Sequence, residues 1–203
     1  MEDFVSQYLS ESARILEKLD RTAIEAVAGI LEDTRRQEGR LFFIGVGGSA
    51  ANCSHAVNDV RKLAGIEAYC ATDNVSELTA RVNDEGWPGV FASWLKVSRL
   101  GPGDTLFIMS VGGGDEERNI SPNLVEAIRH ARQVGSRIVG VVGRDGGYVG
   151  RHADACVIVP VVEESRITPH TEAFQSVICH LLVSHPRLKT AETKWESAIG
   201  HPS

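Results

Sequence analysis

His55 and Asp59 stand four residues apart, and Glu172 and His180 stand eight apart. On a helix the i,i+4 spacing puts His55 and Asp59 on one face. At about 100° per residue, Glu172 and His180 end about 80° apart, roughly one face, about two turns along the axis. Two imidazoles and two carboxylates make a nitrogen/oxygen donor set that suits Zn2+, and less well Mn2+, Fe2+ or Ni2+. Seven histidines in 203 residues also give such spacings by chance. On spacing alone, a His–Asp pair on a helix is more often a solvated surface pair.

Three apolar runs end in glycine clusters, at Gly45-Val46-Gly47-Gly48-Ser49, Ser110-Val111-Gly112-Gly113-Gly114-Asp115 and Gly143-Arg144-Asp145-Gly146-Gly147. Glycine admits positive φ and lets a ligand approach backbone N–H groups. At a helix N-terminus such groups suit an anion, phosphate above all. The alternative is that each cluster only turns the chain between strand and helix. Ser49 and Ser110, one on each of two clusters, favour phosphate. A dinucleotide fold would want G-x-G-x-x-G and an acid about twenty residues on. Here Ala50 takes the last position, and Glu67 falls at the start of the second apolar run rather than its end. The lysine of a phosphate-binding P-loop is absent.

The elements that position these residues follow from periodicity. Residues 3–38 read as helix, with Val5, Leu9, Leu16 and Leu19, then Ile24, Val27, Ile30 and Leu31, at helical spacing. One bent helix and two separate helices both fit. Leu41–Val46, Ala68–Ala71, Thr105–Ser110, Ile138–Val142 and Cys156–Pro160 are short apolar runs that read as strands. Ala50–Leu63, Trp87–Leu100, the segment after Ser121-Pro122 and the segment from Thr168 to about Val183 read as helices, with proline at the first helical position after Ser121. Strands apolar on both faces, alternating with helices, predict a five-stranded parallel sheet in a three-layer α/β/α sandwich. Right-handed crossovers bring all the strand C-termini, and so all three glycine turns, to one edge, where such sheets bind ligands. The chain reads as one domain over 1–203, with 1–38 a helical N-terminal segment and 187–203 a loosely held polar tail.

Composition excludes several classes. Lys+Arg number 21 against 27 Asp+Glu, a formal net charge of -6, which disfavours nucleic acid as the main partner. No apolar run reaches membrane-spanning length, and the acidic, amphipathic start lacks the features of a signal peptide, so a cytoplasmic location is expected. The four cysteines form no C-x-x-C pair and read as buried free thiols.

The ordered runs GVGGSAANCSHAVND, DNVSELTARVNDEG, SVGGGD, VVGRDGGYVGRHADACVIVP and EAFQSVICHLL resemble the sugar isomerase (SIS) domain, and within it the phosphoheptose isomerases, over about residues 1–185. The resemblance implies a homotetramer with active sites between subunits. It implies isomerisation of sedoheptulose 7-phosphate to glycero-manno-heptose 7-phosphate, the entry to heptose sugars. It implies one Zn2+ per subunit on His55, Asp59, Glu172 and His180, with Asp59 and His180 as acid/base groups. Substrate contacts are implied for Asn83, Asp84 and Glu172, and phosphate contacts for Ser110, Val111, Gly112 and Asp115, beside those expected of Gly47, Gly48 and Ser49. The chain departs from the family pattern in the shorter Asp59, in Glu172 for an amide, and in a loop after Ser110 that lacks hydroxyls and gains Glu116-Glu117-Arg118-Asn119. Those departures keep open another ketose phosphate as substrate, and a non-catalytic sugar-phosphate-binding or protein-docking module.

Overall fold

The computed structural model describes residues 3–194. Five strands, β1 (Leu41–Ile44), β2 (Ala68–Cys70), β3 (Thr105–Ser110), β4 (Arg137–Val142) and β5 (Ala155–Ile158), form one all-parallel sheet in the order β2-β1-β3-β4-β5. Leu41 aligns with both Ala68 and Thr105, Thr105 with Arg137, and Val139 with Ala155. Because the chain moves outward from β1 to β2 and then returns to β3, the strand order reverses between β1 and β3. Loops leaving that point diverge and open a crevice. The β1 loop with Gly47 and Gly48, and the β3 loop with Gly112 to Gly114, flank it.

Alternation along the strands feeds two cores. Phe43, Phe107, Met109, Val139, Val141 and Val157 face one layer. Phe42, Ile44, Leu106, Ile108, Ile138 and Val142 face the other. The first layer contains α2 (Arg21–Arg36), α3 (Gly48–Asp59) and α8 (Ile167–Ser184), and the second contains α5 (Val90–Val97), α6 (Pro122–Val134) and α7 (Gly147–His152). The sandwich expected from the strand pattern is therefore the observed fold.

The N-terminal segment is two helices. α1 (Phe4–Lys18) ends before Asp20, whose carboxylate caps α2 by accepting from the amides of Thr22 (2.8 Å) and Ala23 (3.2 Å). On α2 the expected face is buried through Ile24, Val27 and Leu31. On α1 the expected core face is instead exposed: Val5, Leu9 and Leu16 point away from the domain, while Glu11 and Ile15 are buried.

Two helices escape sequence periodicity. α4 (Val75–Glu85) buries no residue, and α7 has six. The Ser121 side chain does not cap α6, because φ 49° turns its backbone left-handed. The segment after Pro186 is held more firmly than expected. Leu188 is buried, Thr190 donates twice to the Leu63 carbonyl, and the Arg35 guanidinium donates to the carbonyls of Arg187 and Leu188. Residues 195–203 of the expected tail lie outside the described residues. All four cysteines are free thiols, and all but the half-buried Cys156 are buried. Among the described residues no helix is long and apolar enough to cross a membrane.

Candidate metal and active site

α3 and α8 lie against each other, and two amides, the half-buried Asn52 and the buried Gln175, fix their relative position. Asn52 on α3 donates to the Glu172 carbonyl (2.8 Å) and to Gln175 Oε1 (3.2 Å) on α8. Gln175 in turn donates to the Val141 carbonyl of β4 (3.3 Å), which ties α8 to the sheet. One helical turn beyond Asn52, His55 comes opposite His180.

The two imidazole Nε2 atoms are 3.0 Å apart. Asp59 Oδ2 lies 3.3 Å from the Nε2 of His55 and 3.4 Å from that of His180. A four-coordinate ion bound at about 2.0–2.1 Å separates its ligand atoms by about 3.3 Å, so these three atoms have the spacing of one tetrahedral face. Two nitrogens and one carboxylate oxygen fit Zn2+. The fourth direction is accessible, since both imidazoles are about half exposed while Asp59 is mostly covered. No other group of three potential ligands converges in this way among the described residues. The neighbouring thiols stay out of the set. Burial pushes Cys53 up, and burial together with the Asp59 charge pushes Cys179 up to about 12.

Glu172, expected as a fourth ligand, is not in this cluster. Its carboxylate packs on the α-carbon of Gly48, so closely that a Cβ at 48 would lie 2.3 Å from Oε2. Gly48 opens α3, and a carboxylate at a helix N-terminus is favoured by the helix dipole. That packing, not the helical angle to His180, sets the direction of the side chain.

The expected phosphate residues separate into two groups. Gly47 has φ 63° and leads into α3, and the Ser49 hydroxyl is buried without a hydrogen-bond partner. Ser110 is already engaged, because its Oγ accepts from the Gly113 amide at 3.0 Å. Val111 and Gly112 are half-buried on the crevice loop. Asp115 is engaged within its own turn. It closes a turn by pairing backbone with Ile120, and its Oδ1 accepts from the Arg118 amide at 2.9 Å. Asn83 and Asp84 are exposed near the end of α4, and their hydrogen bond is to each other, at 2.8 Å.

The second and third glycine clusters also have a packing use that sequence reasoning missed. A Cβ at Gly113 would lie 2.0 Å from the Gly146 carbonyl oxygen, and one at Gly147 would lie 2.2 Å from that of Gly112. The amides of Tyr148 and Val149 donate to the carbonyls of Gly114 (2.8 Å) and Gly113 (2.9 Å). The two loops therefore interlock backbone against backbone.

A second charged constellation was also not legible. Arg166 grips Glu11 with two bonds, 2.8 and 2.6 Å, and His170 Nε2 lies 2.8 Å from Glu11 Oε2. Those bonds from Arg166 and His170 hold the Glu11 carboxyl down at about 2. Tyr8 stacks on His170 with ring centroids 4.4 Å apart. The network pins α1 to the first turn of α8, the helix that carries Glu172 and His180. A glutamate among the apolar positions of α1 was the available signal.

Comparison with known proteins gives the chain its family. The SIS domain model matches residues 7–143. The lincomycin biosynthesis protein LmbN of Streptomyces lincolnensis is 35% identical over 89% of this chain and 68% of its own length. The phosphoheptose isomerase of Chlorobaculum parvum is 30% identical over 95% of this chain and 90% of its own. The structure of phosphoheptose isomerase GmhA from Neisseria gonorrhoeae superposes with a TM-score of 0.77 at 25% identity, covering 89% of this chain and 96% of that one. The chain belongs to the SIS domain family and, within it, to the phosphoheptose isomerases.

Proposed function

We propose that this protein is a metal-dependent aldose–ketose isomerase that interconverts sedoheptulose 7-phosphate and glycero-manno-heptose 7-phosphate. The convergence of His55, Asp59 and His180 with the spacing of a tetrahedral face carries the reading. Family membership supports the substrate class.

The reaction moves a proton between adjacent carbons through an enediol. It needs a base at C1/C2, an acid for the carbonyl oxygen, and stabilisation of the enediolate charge. A Zn2+ ion held by His55, Asp59 and His180, one per subunit, would polarise the substrate carbonyl. Asp59 and His180 are the proposed acid/base pair. Glu172 stands apart from the cluster with a free carboxylate, and we assign it to the substrate, where it can take or return a proton without leaving an ion. The amides around Gly47 and Gly48, the unpartnered Ser49 hydroxyl and the loop from Ser110 to Gly112 would hold the phosphate. That remote anchor orients the reacting carbons.

We further propose that the active assembly is a homotetramer with sites closed by neighbouring subunits. Half-exposed histidines and the exposed apolar stripe Val5, Leu9 and Leu16 support this. Asn83 and Asp84, remote in their bonding from the His–Asp–His cluster, would then serve a site completed by the neighbour. A cytoplasmic location stays part of the proposal, supported by membership of the phosphoheptose isomerases.

One observation favours a second reading. With Ser110 engaged and the 115–120 turn inserted, the loop after β3 differs enough to fit another ketose phosphate. Incubation with sedoheptulose 7-phosphate and a panel of shorter ketose phosphates, followed by NMR, decides between them. Conversion of the heptulose phosphate in preference to the panel is expected. Turnover of a shorter ketose phosphate alone would overturn the substrate assignment, and no turnover by folded, metal-loaded protein would overturn the enzyme reading.

A further inference from the structure

Three guanidinium groups gather where the loop after β3 meets the loop after β4. Arg118 comes from the 115–120 turn, Arg144 from the glycine-rich loop after β4, and Arg151 from α7, and all three line one cavity. Backbone of Gly112, Gly114 and Gly147 forms part of its wall. Two carboxylates also line it, but both are occupied. Asp115 accepts from the Arg118 amide and lies 3.7 Å from Arg118 Nε, while Asp145 Oδ1 accepts from the Gly147 amide at 3.2 Å. The side chains of Arg144 and Arg151 make no hydrogen bond or ion pair among the described residues.

Arg144 is also held at a backbone cost. Its φ of 52° is left-handed, a conformation that favours glycine, in a loop that supplies glycine at 143, 146 and 147. The reward within the chain is not a bond. Its side chain lies along Gly112, whose missing Cβ would meet Arg144 Cδ at 3.7 Å. Strain at a residue whose charged group has no internal partner points to a ligand outside the chain.

We propose that this cavity binds a phosphate-class dianion, with Arg144 and Arg151 as its main ligands and Arg118 at its rim. Planar guanidinium forks match the oxygens of a tetrahedral anion two at a time. The site contains none of His55, Asp59, Glu172 and His180, and it reaches the 112–114 loop from the side facing β4. This goes beyond the isomerase reading and does not depend on it. Two sources share the ligand chemistry: free inorganic phosphate and the phosphate end of a sugar phosphate.

Titration with inorganic phosphate, followed by calorimetry, tests the site without any turnover. The probes are the unaltered protein, the double variant R144A/R151A, the pair R144K/R151K and the control His55→Ala, each checked by thermal melting. Binding is expected to weaken at least tenfold in the alanine double variant, to recover only in part in the lysine pair, and to persist in His55→Ala. Kinetics with the sugar phosphate then separate the sources. A KM raised at least tenfold with kcat kept identifies the substrate phosphate as the anion, and an unchanged KM identifies a separate phosphate site. Phosphate binding in a folded R144A/R151A protein equal to that of the unaltered protein overturns the proposal.

Discussion

The Nε2 atoms of His55 and His180 approach to 3.0 Å although 125 residues separate them in the chain. Either ring nitrogen can present a lone pair in that gap, according to the tautomer of its imidazole. Asp59 Oδ2 sits within 3.4 Å of both nitrogens. The three atoms present the donor pattern of a metal centre rather than that of a chain of surface pairs.

Removing one donor should therefore remove the ion. In His55→Ala or Asp59→Asn, bound metal should fall from one equivalent to well below one, with circular dichroism unchanged. Activity should drop by a factor on the order of 100, the scale attached to a missing acid/base or metal function. Elemental analysis of each purified variant checks this, and a full equivalent of metal in either would remove that residue from the ligand set.

Glu172 should behave differently. Glu172→Gln should keep its metal and lose turnover, because the carboxylate lies over Gly48 rather than in the cluster. Gly48→Ala probes the same contact from the other side. Its backbone is unstrained and the clash is with a flexible carboxylate, so stability should change by less than about 1.5 kcal/mol. Displacing Glu172 should nonetheless cost activity at least tenfold, as read by comparing urea midpoints with kcat/KM.

The interlocked loops make the opposite prediction. Gly113→Ala and Gly147→Ala place a Cβ about 2 Å from backbone carbonyl oxygens at left-handed φ. Neither neighbour can rotate away, so each should destabilise the fold by about 2–4 kcal/mol from strain and overpacking together. Denaturant unfolding measures this directly. A neutral result would show that the β3 and β4 loops are not locked.

Acid should loosen α1 before it unfolds the sheet. The Glu11 carboxyl, held at about 2 by bonds from Arg166 and His170, lies below the ordinary glutamate value of about 4.3. A depressed carboxylate stabilises the folded state fully above the unfolded value and loses that contribution as pH falls toward 2. Thermal melts between pH 5 and about 2 should fall less steeply in Glu11→Gln than in the unaltered chain, from a lower starting point. Parallel curves would show that the network does not govern acid stability.

Legibility in the sequence tracked period and chemistry. The three central strands β1, β3 and β4 are buried almost throughout, while the edge strands expose Tyr69 and Ile158, and the apolar runs of all five announced both the sheet and its edge. His55 and Asp59 share a helix face, so local spacing found them, but spacing could not bring α8 alongside. That register depends on Asn52 and Gln175, amides with no periodic signature. The same blindness hid the packing of Glu172 on Gly48. α1 misled because its apolar stripe is real but faces outward, while a buried glutamate faces in. Gly113 and Gly147 belong to clusters that read as either anion-binding or simple chain turns, and neither reading anticipated the tertiary backbone contacts that demand them.

The most direct test is turnover of sedoheptulose 7-phosphate by protein stripped of metal and then titrated with Zn2+. The account predicts negligible isomerisation in the stripped protein, recovery complete at one equivalent per subunit, and no recovery in His180→Ala. Full turnover by the stripped protein, or recovery in His180→Ala equal to that of the unaltered chain, would contradict it.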